Sequence, residues 1–384
     1  MSREPFANVR LADYELPPAV LERTLSPALV IHLDRVRENV ARVIARAGGA
    51  DRWRPHVKTT KIPEVFAEIA RAGVRHFKCA TTREARELCA SLEKEHIEGA
   101  DVLVAYPLIG PALGQLGRIA ARFPETRVSV LAEDPALVPE IPCEVSIFVD
   151  VNPGMHRTGV PLEERATILA LARAAGERFR GVHYYDGHLH QTDLAERRAA
   201  VFACYGPLIE LCEALERDGA RVEEVVTSGT PAFTHALAFP GFRSGFAPAH
   251  RASPGTVVFH DLRTEEENPD LELEPAACVL ARVVSHPCPL VATCDAGSKS
   301  LAAEAGDPCA FVIGRPELVA LAPSEEHLPL SVTRGERPRR GEVLYLVPRH
   351  VCPTVNLAEE ALLVDRGEVR VVAVSARAHD LRAR

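Results

Sequence analysis

Residues 76–106 read HFKCATTREARELCASLEKEHIEGADVLVAY. The stretch opens and closes on short apolar runs, 76–80 and 101–106, and 82–93 between them carries Ala, Leu, Glu and Arg at helical spacing. Strand, helix and strand in about 30 residues make one parallel βαβ unit. Outward from it the same alternation runs from residue 28 to about 230. It predicts strands at 28–33, 54–58, 76–80, 101–106, 127–131, 145–150, 180–185 and 222–227. Helices are expected at 34–47, with Asp34 as cap, and at 62–72, 82–93, 161–175 and 194–217. Eight such units in about 200 residues predict an α/β fold built on a TIM-like (β/α)8 barrel, with an open doubly wound sheet as the alternative.

Beyond about residue 265 the pattern changes to strands, at 277–285, 290–295, 309–313, 342–347 and 369–375, with few helical stretches. The expected division is therefore a barrel domain over 1–265 and a C-terminal β-rich domain over 266–384. The acidic, proline-bearing run 263–275 (RTEEENPDLELEP) reads as a surface connection between them. A chain of 384 residues, 47% apolar, can fill both cores.

With 45 basic against 53 acidic residues the net charge is -8, and no basic block could follow a phosphate backbone, which argues against a nucleic-acid partner. No apolar run approaches the roughly 20 residues that span a bilayer, and the start, MSREPFANVR, lacks a signal-peptide core, so no membrane partner and a cytoplasmic location are expected. Ten cysteines without a CxxC pair read as reduced thiols. Only five lysines (58, 61, 78, 94 and 299) stand among the 45 basic residues, so each lysine invites a reason.

In a barrel, chemistry gathers where the strands end. In Arg54-Pro55-His56-Val57-Lys58-Thr59-Thr60-Lys61, strand alternation sends His56 and Lys58 to the same side, into the barrel mouth. A lysine half-desolvated there among cations can be held as the neutral amine that imine formation needs; the alternative is a lysine snorkelling at a strand end. Thr227-Ser228-Gly229-Thr230-Pro231 and Ser253-Pro254-Gly255-Thr256 let backbone N–H groups approach a phosphate, although each alone is a common turn. His183-Tyr184-Tyr185-Asp186-Gly187-His188-Leu189-His190 offers His188 and His190 for acid, base or metal work, or else a hydrogen-bonded polar turn. In Val347-Pro348-Arg349-His350-Val351-Cys352-Pro353, His350 and Cys352 lie two apart and would face the same way on an extended segment. They could grip one divalent ion in an incomplete, open site, or be a core His beside a buried Cys.

Taken in order, RPHVKTTK, FKCATTREAREL, DVLVAYPLIGP, VDVNPGMHRTGV, YYDGHLH, SGTP, SPGTVVFHD, CDAGSKS, SEEH and HVCPTVNL resemble the D-threonine aldolase and D-serine dehydratase family of fold-type III pyridoxal-phosphate enzymes, over about 25–378. The resemblance implies a cofactor-bearing, alanine racemase-like barrel, a C-terminal β domain that carries a metal, and a homodimer. Lys58 matches the lysine that binds pyridoxal phosphate covalently. Ser228, Gly229, Thr230, Gly255 and Thr256 match the phosphate cradle, Arg157 an arginine near the cofactor, and Tyr185 and His188 the pocket lining. His350 and Cys352 match the ligands of Zn2+ or Mn2+.

The implied reaction is retro-aldol cleavage of a D-β-hydroxy-α-amino acid, with His188 or His190 as base. The alternatives are β-elimination, in which Lys58 removes the Cα proton, a racemase, and a cofactor-binding protein without turnover. The sequence departs from the family at Thr60-Lys61, Val257 and Ser298. His-x-Cys is familiar from the dehydratases, while HRTG, YDGHLH and SEEHL stand closer to the aldolases.

Overall fold

The computed structural model describes residues 5–243 and 245–382. Contacts divide the chain into two compact units, and the boundary is not the single break expected near residue 265. Among the described residues, one unit comprises 43–58, 66–243, 245–255 and 378–382; the other comprises 5–42, 59–65 and 256–377.

In the first unit seven parallel strands run in the order His76–Cys79, Asp101–Val104, Arg127–Ala132, Ser146–Asn152, Phe179–Tyr184, Glu224–Thr227 and Ala249–Ala252. Residues 53–57 fill the eighth place. Trp53 bridges Ala252 and His56 bridges Lys78. The Arg54 N–H donates to Ala252 O (2.9 Å) and the Val57 N–H to Lys78 O (2.7 Å), so both open edges are satisfied and the barrel closes. Pro55 has no N–H to give a ladder, which keeps this segment from reading as a full strand.

The barrel is thus the expected one with two staves exchanged. Ala28–His32, expected as its first strand, lies in the other unit between Ala277–Cys288 and Glu360–Asp365. Ala249–Ala252, whose sequence AHRA carries no apolar run, takes the open place instead. The helix expected at 34–47 begins at Leu33, so Asp34 sits in its first turn, paired with Arg37 (2.7 Å), rather than at its cap.

Side chains fill the barrel in layers. At the end where the strands begin, Arg54 makes a bidentate pair with Glu224 (2.7 Å at each contact) and a third bond to Asp101 (2.9 Å). Arg180 adds a bond to Asp101 (2.9 Å) and Arg251 one to Glu224 (2.9 Å). Above this ionic floor Leu103, Leu131, Phe148 and Val226 form an apolar layer. The third layer is the open mouth.

In the second unit, Ala277–Cys288, Val291–Cys294, Leu328–Val332, Leu318–Ala320, Ala310–Val312 and Val343–Pro348 pair in a ring that returns to Ala277–Cys288. Ala28–His32, Glu360–Asp365 and Glu368–Ala373 extend the sheet from it. The long strand alternates: Val279, Ala281 and Val283 fill one apolar cluster while Cys278 and Leu280 fill another. The acidic run 263–275, expected as an exposed connection, instead holds the helix Leu262–Glu267, capped by Asp261 through the Thr264 N–H (2.8 Å). Its Glu265 turns inward to His260 (2.9 Å). None of the ten cysteines forms a disulfide, and no helix among the described residues is long and apolar enough to cross a membrane.

Arg54→Met would leave Glu224 and Asp101 buried without their guanidinium, at an expected cost of about 3–5 kcal/mol. Trp53, the sole tryptophan, is fully buried beside it, so its emission should shift to the red at a clearly lower urea concentration than in the wild type.

Candidate active site

The barrel mouth is built from the ends of the parallel strands. His56 and Lys58 are half-buried there, and the Lys58 N–H donates to His56 Nδ1 (3.4 Å). His56 bridges Lys78 in register, and partners in register project to the same side. Lys78 is fully buried and sets its Nζ 5.4 Å from the centre of the Tyr185 ring. The Arg157 guanidinium stands 4.8 Å from the same ring. His183 lies nearly parallel to it at 6.4 Å, with Nδ1 2.7 Å from Asp150 Oδ1.

Tyr185 occupies space that two glycines leave open. A Cβ on Gly187 would come within 2.8 Å of the Tyr185 hydroxyl and one on Gly229 within 3.1 Å. Between them Asp186 is buried; Oδ1 accepts the Gly229 N–H (3.3 Å) and Oδ2 accepts the Tyr205 hydroxyl. Burial raises Asp186 to about 6, against the pull of those hydrogen bonds and of the Lys78 charge. Burial, followed by the charge of Lys58, lowers Lys78 to about 7, with Asp186 opposing. Lys78, Asp186 and the His183–Asp150 pair were not singled out in the sequence. The one usable signal was the scarcity of lysine, since Lys78 stands inside a strand.

Ser228 follows the strand Glu224–Thr227 in a left-handed conformation (φ +61°), and its buried Oγ has no partner. A strained residue here turns successive N–H groups to one side, a shape that cradles anions. Gly229 and the buried Thr230 continue the turn. Gly255 is held near the same strand end: the Ser253 N–H donates to Thr227 O (2.9 Å) and the Trp53 indole N–H to Pro254 O (3.0 Å). Thr256 belongs to the other unit.

The two candidate bases separate. His188 is half-buried, its Nδ1 is buried without a partner, and Gly154 leaves room beside its Nε2. Burial, with His156 and His190, lowers its pKa, which favours the neutral ring. His190 is exposed and turned back on the His188 carbonyl (2.8 Å).

In the second unit His350 precedes the helix Val351–Leu357, and Cys352 is the second residue of that helix. The expected extended segment is absent. The chain bends instead, because Asp261 Oδ2 accepts the Val351 N–H (2.9 Å), and the bend still joins the pair. A side-chain hydrogen bond to Cys352 raises the pKa of His350. Cys352 Sγ also lies 3.2 Å from Thr59 Oγ1 and 3.8 Å from Thr256 Oγ1. Among the described residues no cluster of three or more His, Cys, Asp or Glu side chains is arranged to hold a metal.

Residues 31–248, more than half of the chain, match the family described as alanine racemase, N-terminal domain. The chain belongs to the alanine racemase-like, fold-type III family of pyridoxal-phosphate enzymes. Residues 276–364 match a serine dehydratase domain. Over 98% of its length the chain is 30% identical to a D-threonine aldolase of Arthrobacter sp, covering 99% of that protein. It is 28% identical to the D-threo-3-hydroxyaspartate dehydratase of Delftia sp. (strain HT23), over 68% of each chain. The crystal structure of D-threonine aldolase from Filomicrobium marinum superposes with a TM-score of 0.79 at 27% identity, over 98% of both chains.

The barrel mouth fits the family's cofactor. Pyridoxal phosphate needs an amine for its aldehyde, a wall for its ring and donors for its phosphate. Lys58, the glycine-flanked face of Tyr185, and the unsatisfied Ser228 hydroxyl with its strained turn would supply them. Gly229→Ala would press a methyl group onto Tyr185, and overpacking of that kind costs about 1–3 kcal/mol. Cofactor titration of the folded variant should show a dissociation constant raised about five- to a hundredfold.

Proposed function

We propose that this protein is a cytoplasmic, homodimeric lyase that cleaves D-β-hydroxy-α-amino acids between Cα and Cβ, yielding glycine and an aldehyde. The observation that carries the reading is the mouth itself, where Lys58, Arg157, Tyr185 and the Ser228 turn gather, with His188 in the loop that follows Tyr185. The full-length likeness to a D-threonine aldolase supports it.

Pyridoxal phosphate held on Lys58 would supply the electron sink that makes a bond at Cα labile. The protein chooses which bond. Ser228, Gly229 and Thr230 bind the phosphate, with Gly255 beside them and Thr256 next in the chain. Tyr185 forms a wall for the ring, and Arg157 supplies positive charge for an anionic substrate. Retro-aldol cleavage requires a base at the β-hydroxyl rather than at Cα, and His188 is the residue assigned to take that proton. His350 and Cys352 would hold a divalent ion, Zn2+ by the softness of nitrogen and sulfur donors or Mn2+ as in the expectation from sequence, and the ion would lower the pKa of a bound hydroxyl.

A second reading has one observation in its favour, the His-x-Cys pair inside the segment matching a serine dehydratase domain. There the Lys58 amine removes the Cα proton and the β-hydroxyl leaves, giving a 2-oxo acid and ammonia.

Product analysis separates the two. With D-threonine, pyridoxal phosphate and Mn2+ or Zn2+, we expect glycine and acetaldehyde, no turnover of L-threonine, and loss of activity with a chelator. 2-Oxobutanoate with ammonia would make the enzyme a dehydratase, and no visible cofactor band would remove the reading altogether.

The role of His188 is tested by pH. Because burial lowers its pKa, its base form persists below the pH at which an ordinary imidazole protonates, and the acid limb of kcat should be displaced to lower pH accordingly. His188→Gln should keep the cofactor band, lose about 10²–10⁴-fold in kcat and lose that acid limb.

A further inference from the structure

We propose that Lys78 is a second cofactor-facing lysine, whose ammonium donates a hydrogen bond to the ring system of pyridoxal phosphate carried on Lys58 and sets the charge state in which that cofactor works. This rests on reading the barrel mouth as a pyridoxal-phosphate site. Lys78 is the third residue of His76–Cys79, in register with His56 on one side and Leu103 on the other. Leu103 belongs to the apolar layer inside the barrel, so Lys78 also points inward, toward the mouth.

A lysine amine taken out of water normally ends on a carboxylate, because a buried charge without a partner is costly. Lys78 does not. Among the described residues its amine has no hydrogen bond or ion pair, and it faces the Tyr185 ring at 5.4 Å. The groups around it come from every neighbouring element: Lys58 after 53–57, Arg157 beyond Ser146–Asn152, His183, Tyr185 and Asp186 on and after Phe179–Tyr184, and Arg54 from the floor. Asp186 is the acid that draws on it most, and both Asp186 oxygens are already engaged by Gly229 and Tyr205; Asp150 meets His183 through Oδ1, and its Oδ2 is buried without a partner. Neither carboxylate is hydrogen-bonded to the Lys78 amine, which leaves that amine to an acceptor entering the mouth.

The bound cofactor has such acceptors to offer, a phenolic oxygen and a ring nitrogen. Its phosphate is already provided for at the Ser228 turn. Burial first, and then the charges of Lys58, Arg157 and Arg54, hold Lys78 down at about 7. An anionic cofactor would restore the proton and lock the side chain in place.

The test uses the full chain loaded with cofactor, as wild type, Lys78→Met and Lys78→Arg, with visible spectra recorded from about pH 5 to 10 and cofactor dissociation constants measured on each apoprotein. The wild type should show a spectral transition with a midpoint at or above about 7, because the negative charge of the cofactor favours the ammonium. Lys78→Met should lose that transition and bind the cofactor about tenfold more weakly. Lys78→Arg should hold the low-pH spectrum throughout, since a guanidinium does not titrate in this range. A Lys78→Met protein with the wild-type transition and affinity overturns the role of Lys78 alone. If that variant does not fold, a Lys78→Arg spectrum that still titrates like the wild type overturns it equally. A wild type that takes up no cofactor overturns the site reading, and Lys78 with it.

Discussion

The barrel is organised around one guanidinium. Arg54 is fully buried, and burial by itself would push its proton off and force the carboxyls of its partners to stay neutral. Glu224 and Asp101 reverse this: their charges and hydrogen bonds hold Arg54 strongly protonated, and Arg54 and Arg180 hold Asp101 well below the usual carboxylate range despite its burial. The three groups come from three separate staves. A shift of any of those strands by one residue would send its charged partner to the other face, so the ion pairs specify the register of the closed sheet.

That register decides what reaches the mouth. With Asp101 and Glu224 at the first positions of their strands, Leu103 and Val226 fall in the apolar layer two residues later, and the next turn of chain carries the reactive groups. Residues 53–57 are set by the same floor. Arg54 is pinned below, Val57 is hydrogen-bonded to Lys78 O, and Lys58 follows at the rim. The mouth is then electrostatically unbalanced. Lys58, Lys78 and Arg157 converge on the Tyr185 side, while Asp186 is committed to Gly229 and Tyr205. Such a site favours an anion-bearing cofactor and an amino acid carboxylate, on physical grounds independent of any likeness to known enzymes.

The two units use different means to solve the same local problem. In the barrel, loop conformations are bought with glycine, as at Gly187 and Gly229, and with strain at Ser228. In the β unit, Asp261 performs two capping tasks at once, holding the Leu262–Glu267 helix through Thr264 and the bend between His350 and Cys352 through Val351. The two donors meet because of that carboxylate, and not through strand alternation.

By itself the sequence determined the class of fold and pointed to several of the segments that end at the mouth, because apolar periodicity and short motifs are local properties. It could not assign two of the staves. Ala28–His32 is buried along nearly its whole length, which looks the same as a barrel strand in sequence, although the strands it pairs with belong to the β unit. Ala249–Ala252 is polar because Arg251 pairs with a glutamate that is distant in the chain, a compensation invisible along the chain. The same limit hid Lys78, Asp186 and the inward turn of Glu265. Whether a charged side chain is buried, and what offsets its desolvation, depends on groups brought together from many strands, and only the tertiary structure decides that.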